Sequence, residues 1–324
     1  MFNFSSLHTK NSYVLILAYH GIIRYPIPFF DSCFLNENMF RRQLKYMKKH
    51  FDIVCFTRAI ELLRNNCVRR PTIVLTFDDG YQNNYDIAFP ILQEERVPAT
   101  IFLATGYIDT SETIWTGYLH HAFAMTLKTS LSWEGCRYNL TKPDQKFKAV
   151  NTIKYLFKQM PYSQIIPNVH KVISELDVRL DQSFENGSPY RILNSDAIRE
   201  MNISGLVEFG AHTHLHPILK HLSHYQKEEE ITKSINIVKK LIRKPCEIFS
   251  IPNGSIHDYD KETINILRKN GVTVCVTTIA GVNNGKTPIM ELRRHIIGGK
   301  ISMFKFKLIV HNIHSFLKNF NIIS

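Results

Sequence analysis

The chain has 324 residues, of which 44% are hydrophobic, enough for one large domain or two small ones. Lys and Arg outnumber Asp and Glu by 40 to 28, so the chain is strongly basic and suits anionic partners without choosing among them. Six scattered cysteines with no CxxC pair exclude a disulfide scaffold and a zinc ribbon, and no stretch is apolar for long enough to span a bilayer.

"YVLILAYH" (13–20) reads as a buried strand ended by Gly21. "ENMFRRQLKYMKKH" (37–50) carries apolar residues at helical spacing and Lys at its end, as the helix dipole prefers. "FDIVCF" predicts a strand, and "TRAIELLRNN" a helix capped by Thr57. "TIVLTF" (72–77) is a third strand, "NYDIAFPILQEER" a helix kinked at Pro90, and "PATIFLAT" (98–105) a fourth strand. This alternation predicts a parallel sheet with helices outside, open or closed into a barrel. Between 110 and 195 the pattern changes to a helical insertion, with "IWTGYLHHAFAMTL", "FKAVNTIKYLFKQM" and "IIPNVHKVISEL" as its helices. Alternation resumes with "SDAIREMN" (Ser195 as N-cap), "GLVEFGAH", "KEEEITKSINIVKKLI", "CEIFSIPNG", "YDKETINILRKNG" and "VTVCVTT". The whole, 1–324, is expected to be a single catalytic domain. Its end, 300–324, is basic and apolar, with Phe304, Leu308, Phe316, Leu317 and Phe320 on one helix face. That face suits packing on the domain or docking on an anionic membrane.

Reactive groups gather at the carboxyl ends of strands in such folds. Three sets fall there: His20 after the first strand, Asp78-Asp79 after the third, and His212, His214 and His216 of "GAHTHLHP". DDG alone is a common turn. Two carboxylates side by side after a buried strand also repel, which a cation between them would cure. His212 and His216 are four apart, so one helical turn would aim both the same way, and two imidazoles with a carboxylate make an open three-ligand site.

"TFDDG" (76–80) followed by "HTHLH" (212–216) resembles the polysaccharide deacetylases of the NodB-homology type, carbohydrate esterase family 4. The resemblance covers 13–120 and 190–297 and implies a distorted (β/α)7 barrel. It implies that Asp79, His212 and His216 hold a divalent metal, zinc by ligand type, with iron, cobalt or manganese as alternatives. It also implies Asp78 as the general base. The family's usual R-P-P-Y-G reads "FSIPNG" here, so the Arg that partners the base is missing at Ser250, and the Asn253 backbone N–H is the oxyanion donor by analogy. For the general acid, His20 in "LAYHGI" is preferred to His295 in "ELRRHII", since some exopolysaccharide deacetylases carry an N-terminal Y-H element. Tyr81, Trp115, Pro252 and Asn253 are the expected substrate contacts, with His257 and Asp258 at the rim.

The expected function is therefore metal-dependent removal of an acetyl group, N-acetyl before O-acetyl, from a polysaccharide or lipid-linked sugar. Two alternatives are a non-catalytic carbohydrate-binding relative of the same fold and a two-metal phosphohydrolase. Nucleic acid is not an expected partner, because no binding motif accompanies the charge. With no leader at the N-terminus, the expected location is cytoplasmic, at most peripheral to the inner face of the membrane.

Overall fold

The computed structural model describes residues 12–25, 27, 31–179, 184 and 188–313. In chain order the elements are β1 (Val14–Tyr19), β2 (Gly21–Ile23), β3 (Phe34–Asn36), α1 (Glu37–His50), β4 (Asp52–Ile53), α2 (Phe56–Arg64), β5 (Thr72–Phe77), α3 (Phe89–Glu95) and β6 (Ala99–Leu103). There follow α4 (Trp115–Met125), β7 (Ser130–Trp133), β8 (Cys136–Asn139), α5 (Pro143–Lys158), α6 (Tyr162–Glu175) and α7 (Ser195–Ile203). The chain then continues through β9 (Val207–Ala211), α8 (His224–Ile242), β10 (Ile248–Ser250), α9 (Lys261–Lys269), β11 (Val274–Val276), β12 (Arg294–Ile296) and α10 (Met303–Val310).

Seven parallel strands run in the order β11-β10-β9-β6-β5-β1-β12. Leu292, just before β12, bridges back to Val276 of β11, and its N–H and C=O bond to Cys275 and Thr277. The sheet is thus nearly closed, as a (β/α)7 barrel. Side chains alternate between its two faces. Val14, Ile16, Val74, Phe102, Val276 and Leu292 fill the interior, against which α2 lays Phe56, Ala59, Ile60 and Leu63. Leu15, Leu17, Tyr19, Leu75, Phe77, Ile101 and Leu103 face outward into the layer under the surrounding helices.

The predicted strands at 13–20, 72–77 and 98–105 and the helix at 37–50 fall where periodicity put them. Several local details differ. The cap of α2 is Cys55 rather than Thr57, whose N–H bonds instead to Glu208 Oε2. Asn194 caps α7, one residue before Ser195. Pro90 is preceded by a π turn over Asn84–Ala88, in which the Phe89 N–H reaches the Asn84 carbonyl. Pro90 has no N–H to continue an α ladder, and the wider turn absorbs the interruption.

Between β6 and β9 lie α4–α6, where helices were expected, and the unpredicted β7–β8 hairpin. The insertion has a core of its own around Trp115, Phe123, Trp133, Ile153, Phe157 and Val172. At the far end, α10 buries Phe306, Leu308, Ile309 and Val310, and Tyr13 Oη donates to the Val310 carbonyl. Phe304 is exposed, so it does not share the buried face of Leu308. Phe316, Leu317 and Phe320 lie outside the described residues. No helix among the described residues is long and apolar enough to cross a membrane.

Candidate active site

β5 is followed by Asp78 and Asp79, and the chain turns there at once. Asp79 has φ +73° and Gly80 φ +76°. The positive φ favours glycine at position 80, where a side chain would also begin 2.8 Å from Leu103 Cδ2. A non-glycine residue in the left-handed region is uncommon and costs energy, and such residues concentrate at functional sites. The two aspartates consequently leave the strand in different directions while staying buried.

Asp78 continues the inward-facing register of β5 and meets Arg294, the inward residue of β12. The guanidinium grips the carboxylate with two bonds, Nη1 to Oδ1 at 2.8 Å and Nη2 to Oδ2 at 2.7 Å. Its other three donors go to the Thr277 carbonyl, Thr76 Oγ1 and Ser250 Oγ at 2.9, 3.1 and 2.8 Å. All five N–H groups of the side chain are satisfied, and it stacks over Phe102. This corrects the reading of "FSIPNG". Ser250 does stand where the Arg was expected, but the Arg partner of Asp78 arrives from β12 and bonds to Ser250 itself.

His212 and His216 reach Asp79 from the loop after β9. They do not lie on a helical turn. The segment is a loop with Thr213 and His216 at φ +65° and +58°. Glu230 of α8 holds it by accepting the N–H groups of His214 and Leu215 on one oxygen at 2.9 and 2.8 Å. The Thr213 hydroxyl accepts the His216 N–H. His214 turns aside to Thr105 Oγ1, 3.1 Å from its Nδ1. His212 Nε2 and His216 Nε2 lie 3.5 and 3.4 Å from Asp79 Oδ1.

This trio fits a divalent cation. Its ligand atoms all lie within 4.8 Å of one another. His212 Nδ1 is 2.7 Å from the Ser250 carbonyl and donates its hydrogen there, which leaves Nε2 facing Asp79 as the atom that can bind a metal. Asp79 Oδ1 is buried and accepts no hydrogen bond from a described residue. A cation at this point would satisfy the carboxylate and both imidazoles at once.

Burial opposes ionisation of both aspartates, and their neighbours outweigh it. Arg294 and then His212 hold Asp78 below the usual carboxylate range; His212 and His216 do so for Asp79, and His20 contributes to both. Burial also opposes charge on the imidazoles. It pushes His216 down to about 4, whereas Asp78 and Asp79 overcome it at His212 and raise that pKa.

Asp78, Asp79, His212, His216 and His20 line one cavity of ≈ 590 Å3 at the carboxyl ends of the strands. Asn253, at φ +58°, lines it too, as do His257 and Asp258. His295 does not. It follows Arg294 in β12, pairs with outward-facing Leu17, and so points away from the barrel interior. Trp115 and Tyr81 are also absent from the lining, being packed in the insertion core, Trp115 near Phe157 and Tyr81 near Phe34. Pro252 is buried beside the cavity without lining it. The aromatic ring on the cavity is Tyr155 of α5, 65% exposed.

Sequence reasoning missed Arg294 and Tyr155. Strand parity could have found the first, because in "RRHI" only one of Arg294 and His295 can face inward.

The family model for polysaccharide deacetylase matches residues 65–275. No curated protein sequence matches the chain. Among solved structures, the chain resembles the Streptococcus pyogenes deacetylase PplD in complex with acetate. The identity is 17% and the TM-score 0.61, over 92% of this chain and 98% of that one. It also resembles IcaB from Ammonifex degensii, at 18% identity and TM-score 0.60, over 94% and 97% of the two chains. A de-N-acetylase from Aggregatibacter actinomycetemcomitans gives 17% and 0.55, over 91% and 98%. At these identities the structures speak for the barrel alone, while the family match spans well over half the sequence. The chain belongs to the polysaccharide deacetylase family, hydrolases of carbon–nitrogen bonds other than peptide bonds.

Proposed function

We propose that the chain is a metal-dependent deacetylase that removes an N-acetyl group from an acetylated glycan or lipid-linked sugar. The observation that carries this reading is the convergence of an Arg-held carboxylate, Asp78, with the Asp79/His212/His216 trio on one cavity.

A divalent cation held by Asp79, His212 and His216, zinc by ligand type, would polarise the acetyl carbonyl and acidify a water molecule. Asp78 takes the proton of the attacking water. Arg294 fixes the plane of that carboxylate and keeps it ionised, so it is ready to accept a proton at neutral pH. The Asn253 backbone N–H is the donor toward the developing oxyanion. As the carbon–nitrogen bond breaks, His20 gives a proton to the departing amine, and acetate and a free amino sugar result. Tyr155 offers an aromatic face on which a sugar ring can stack.

The non-catalytic alternative rested on a missing Arg partner and an unplaced acid. Arg294 on Asp78 and His20 on the cavity remove that support. A two-metal phosphohydrolase needs a second ligand set, and among the described residues only one group of this kind occurs.

The test is metal content together with acetate release from N-acetylated amino-sugar oligomers, for the wild type and Asp78→Asn. About one metal per chain in both proteins, with acetate released by the wild type alone, is the expected result. Metal binding without acetate release from any acetylated glycan would sink the reading, and about two metals per chain would favour the phosphohydrolase.

A further inference from the structure

We propose that the cavity is built for an acetylated sugar that also carries an anionic group, a phosphate or a carboxylate, bound by Lys154 and Lys158. The inference rests on the deacetylase reading of the same site and names its substrate class.

The two lysines stand one turn apart on α5, and both line the cavity with Asp78, Asp79 and His216. Like charges at this spacing disfavour a helix. Burial first, and Lys154 next, lower the pKa of Lys158. Among the described residues no carboxylate lies within 4 Å of either ammonium. Asp258 acts on Lys158 from farther off, and its Oδ2 already accepts the Ser255 N–H at 2.7 Å.

The negative end of the α5 dipole accounts for Lys158 at the last helical position. It does not account for Lys154. That ammonium donates to His120 Nε2 at 2.8 Å. The arrangement leaves the His120 hydrogen on Nδ1, 3.2 Å from Asp31 Oδ2. Asp31 and His120 are almost fully buried, and Asp31 also accepts from Tyr190 Oη and the Cys33 N–H. A buried pair thus braces Lys154 from behind while the side chain borders the cavity.

None of the three carboxylates on the lining pairs directly with either lysine, Asp258 acting on Lys158 only from beyond 4 Å. Asp78 is taken by Arg294, and Asp79 faces two imidazoles. His257 and His221 on the same lining add no acid. Asp31 answers Lys154 only through the His120 ring, so an anion on the substrate would give the two ammonium groups a direct partner, with lysine as a point charge.

The test compares kcat/KM for three N-acetylated amino sugars: a neutral oligomer, one bearing a phosphate, and one bearing a uronic carboxylate. At least one charged substrate should exceed the neutral one by about tenfold or more, and Lys154→Gln or Lys158→Gln should collapse that ratio toward one. Which anion is preferred identifies its source. Inorganic phosphate is titrated in parallel into the metal-loaded wild type and both variants, with a Kd about tenfold weaker expected in each variant. Any bound metal attracts phosphate equally in all three proteins, so the difference reads the lysines alone. Lys158→Gln leaves the His120 contact intact and guards against misfolding of Lys154→Gln. Equal kcat/KM for charged and neutral substrates, with unchanged phosphate affinity in Lys158→Gln, overturns the proposal. If no acetylated sugar releases acetate, the deacetylase reading falls, and the phosphate titration alone still decides the lysine site: weaker binding in the variants supports it and unchanged binding overturns it.

Discussion

Two buried aspartate–histidine groups lie near the cavity, and they differ in one respect. In the first, Asp79 faces His212 and His216, and no cationic side chain stands between them. In the second, Asp31 faces His120, and Lys154 supplies the positive charge from the far side of the ring, with Tyr190 and the Cys33 N–H completing the acid's bonds. The same residue types thus make a finished network in one place and an unfinished one in the other. Burying ions is favourable only when each is compensated, so the unfinished group is the one that a bound cation would complete.

The sharpest way to break that contrast is to remove the acid from each group. Asp79→Ala should abolish metal binding, read by metal analysis, and with it acetate release by at least about 10^3-fold. Asp31→Asn should keep the metal and lose only about 1–3 kcal/mol of stability in denaturant melts. The next effects concern proton transfer. Asp78→Asn and His20→Gln should each lower kcat by about 10^2–10^4 with metal retained, whereas His295→Gln should leave kcat within a few-fold. A His295 variant as damaged as the His20 variant would reverse the assignment.

Arg294→Met should cost about 3–5 kcal/mol of stability, because Asp78 would remain buried without its partner. The smallest effects lie in the pH dependence of stability. The Asp78 carboxyl titrates below its ordinary 3.8 in the folded protein. Its contribution is therefore complete above that value and lost as the pH falls beneath it. Asp78→Asn should lack this acid limb. His120 runs the other way from a charged histidine: burial and then Lys154 push it down to about 4, so the folded state excludes a proton that the unfolded chain binds. Stability then falls as the pH is lowered from about 6.5 to about 4, and His120→Gln should make that slope shallower, leaving the share of His216, which is depressed likewise.

Much of the barrel was legible because each long strand is a run of branched apolar residues bounded by turn residues, as in "VLILAY" and "TIVLTF". The Asp and His motifs were legible because they are contiguous. Arg294 was not, since its partner Asp78 lies 216 residues earlier and β12 has only three residues. The helical turn expected for His212 and His216 failed because Thr213 and His216 adopt left-handed backbone, which no periodicity reports. Trp115 looked like a sugar platform because aromatic residues serve both purposes, and only burial told it from Tyr155.

The grip of Arg294 on Asp78 also has a consequence for the order of synthesis. The carboxylate emerges early and its guanidinium late, at the strand that closes the barrel. Until β12 docks, Asp78 lacks its guanidinium partner, and the proposed general base has no fixed orientation. Under the proposed roles, closure of the barrel and competence of the centre coincide, and a chain ending before Arg294 should release no acetate.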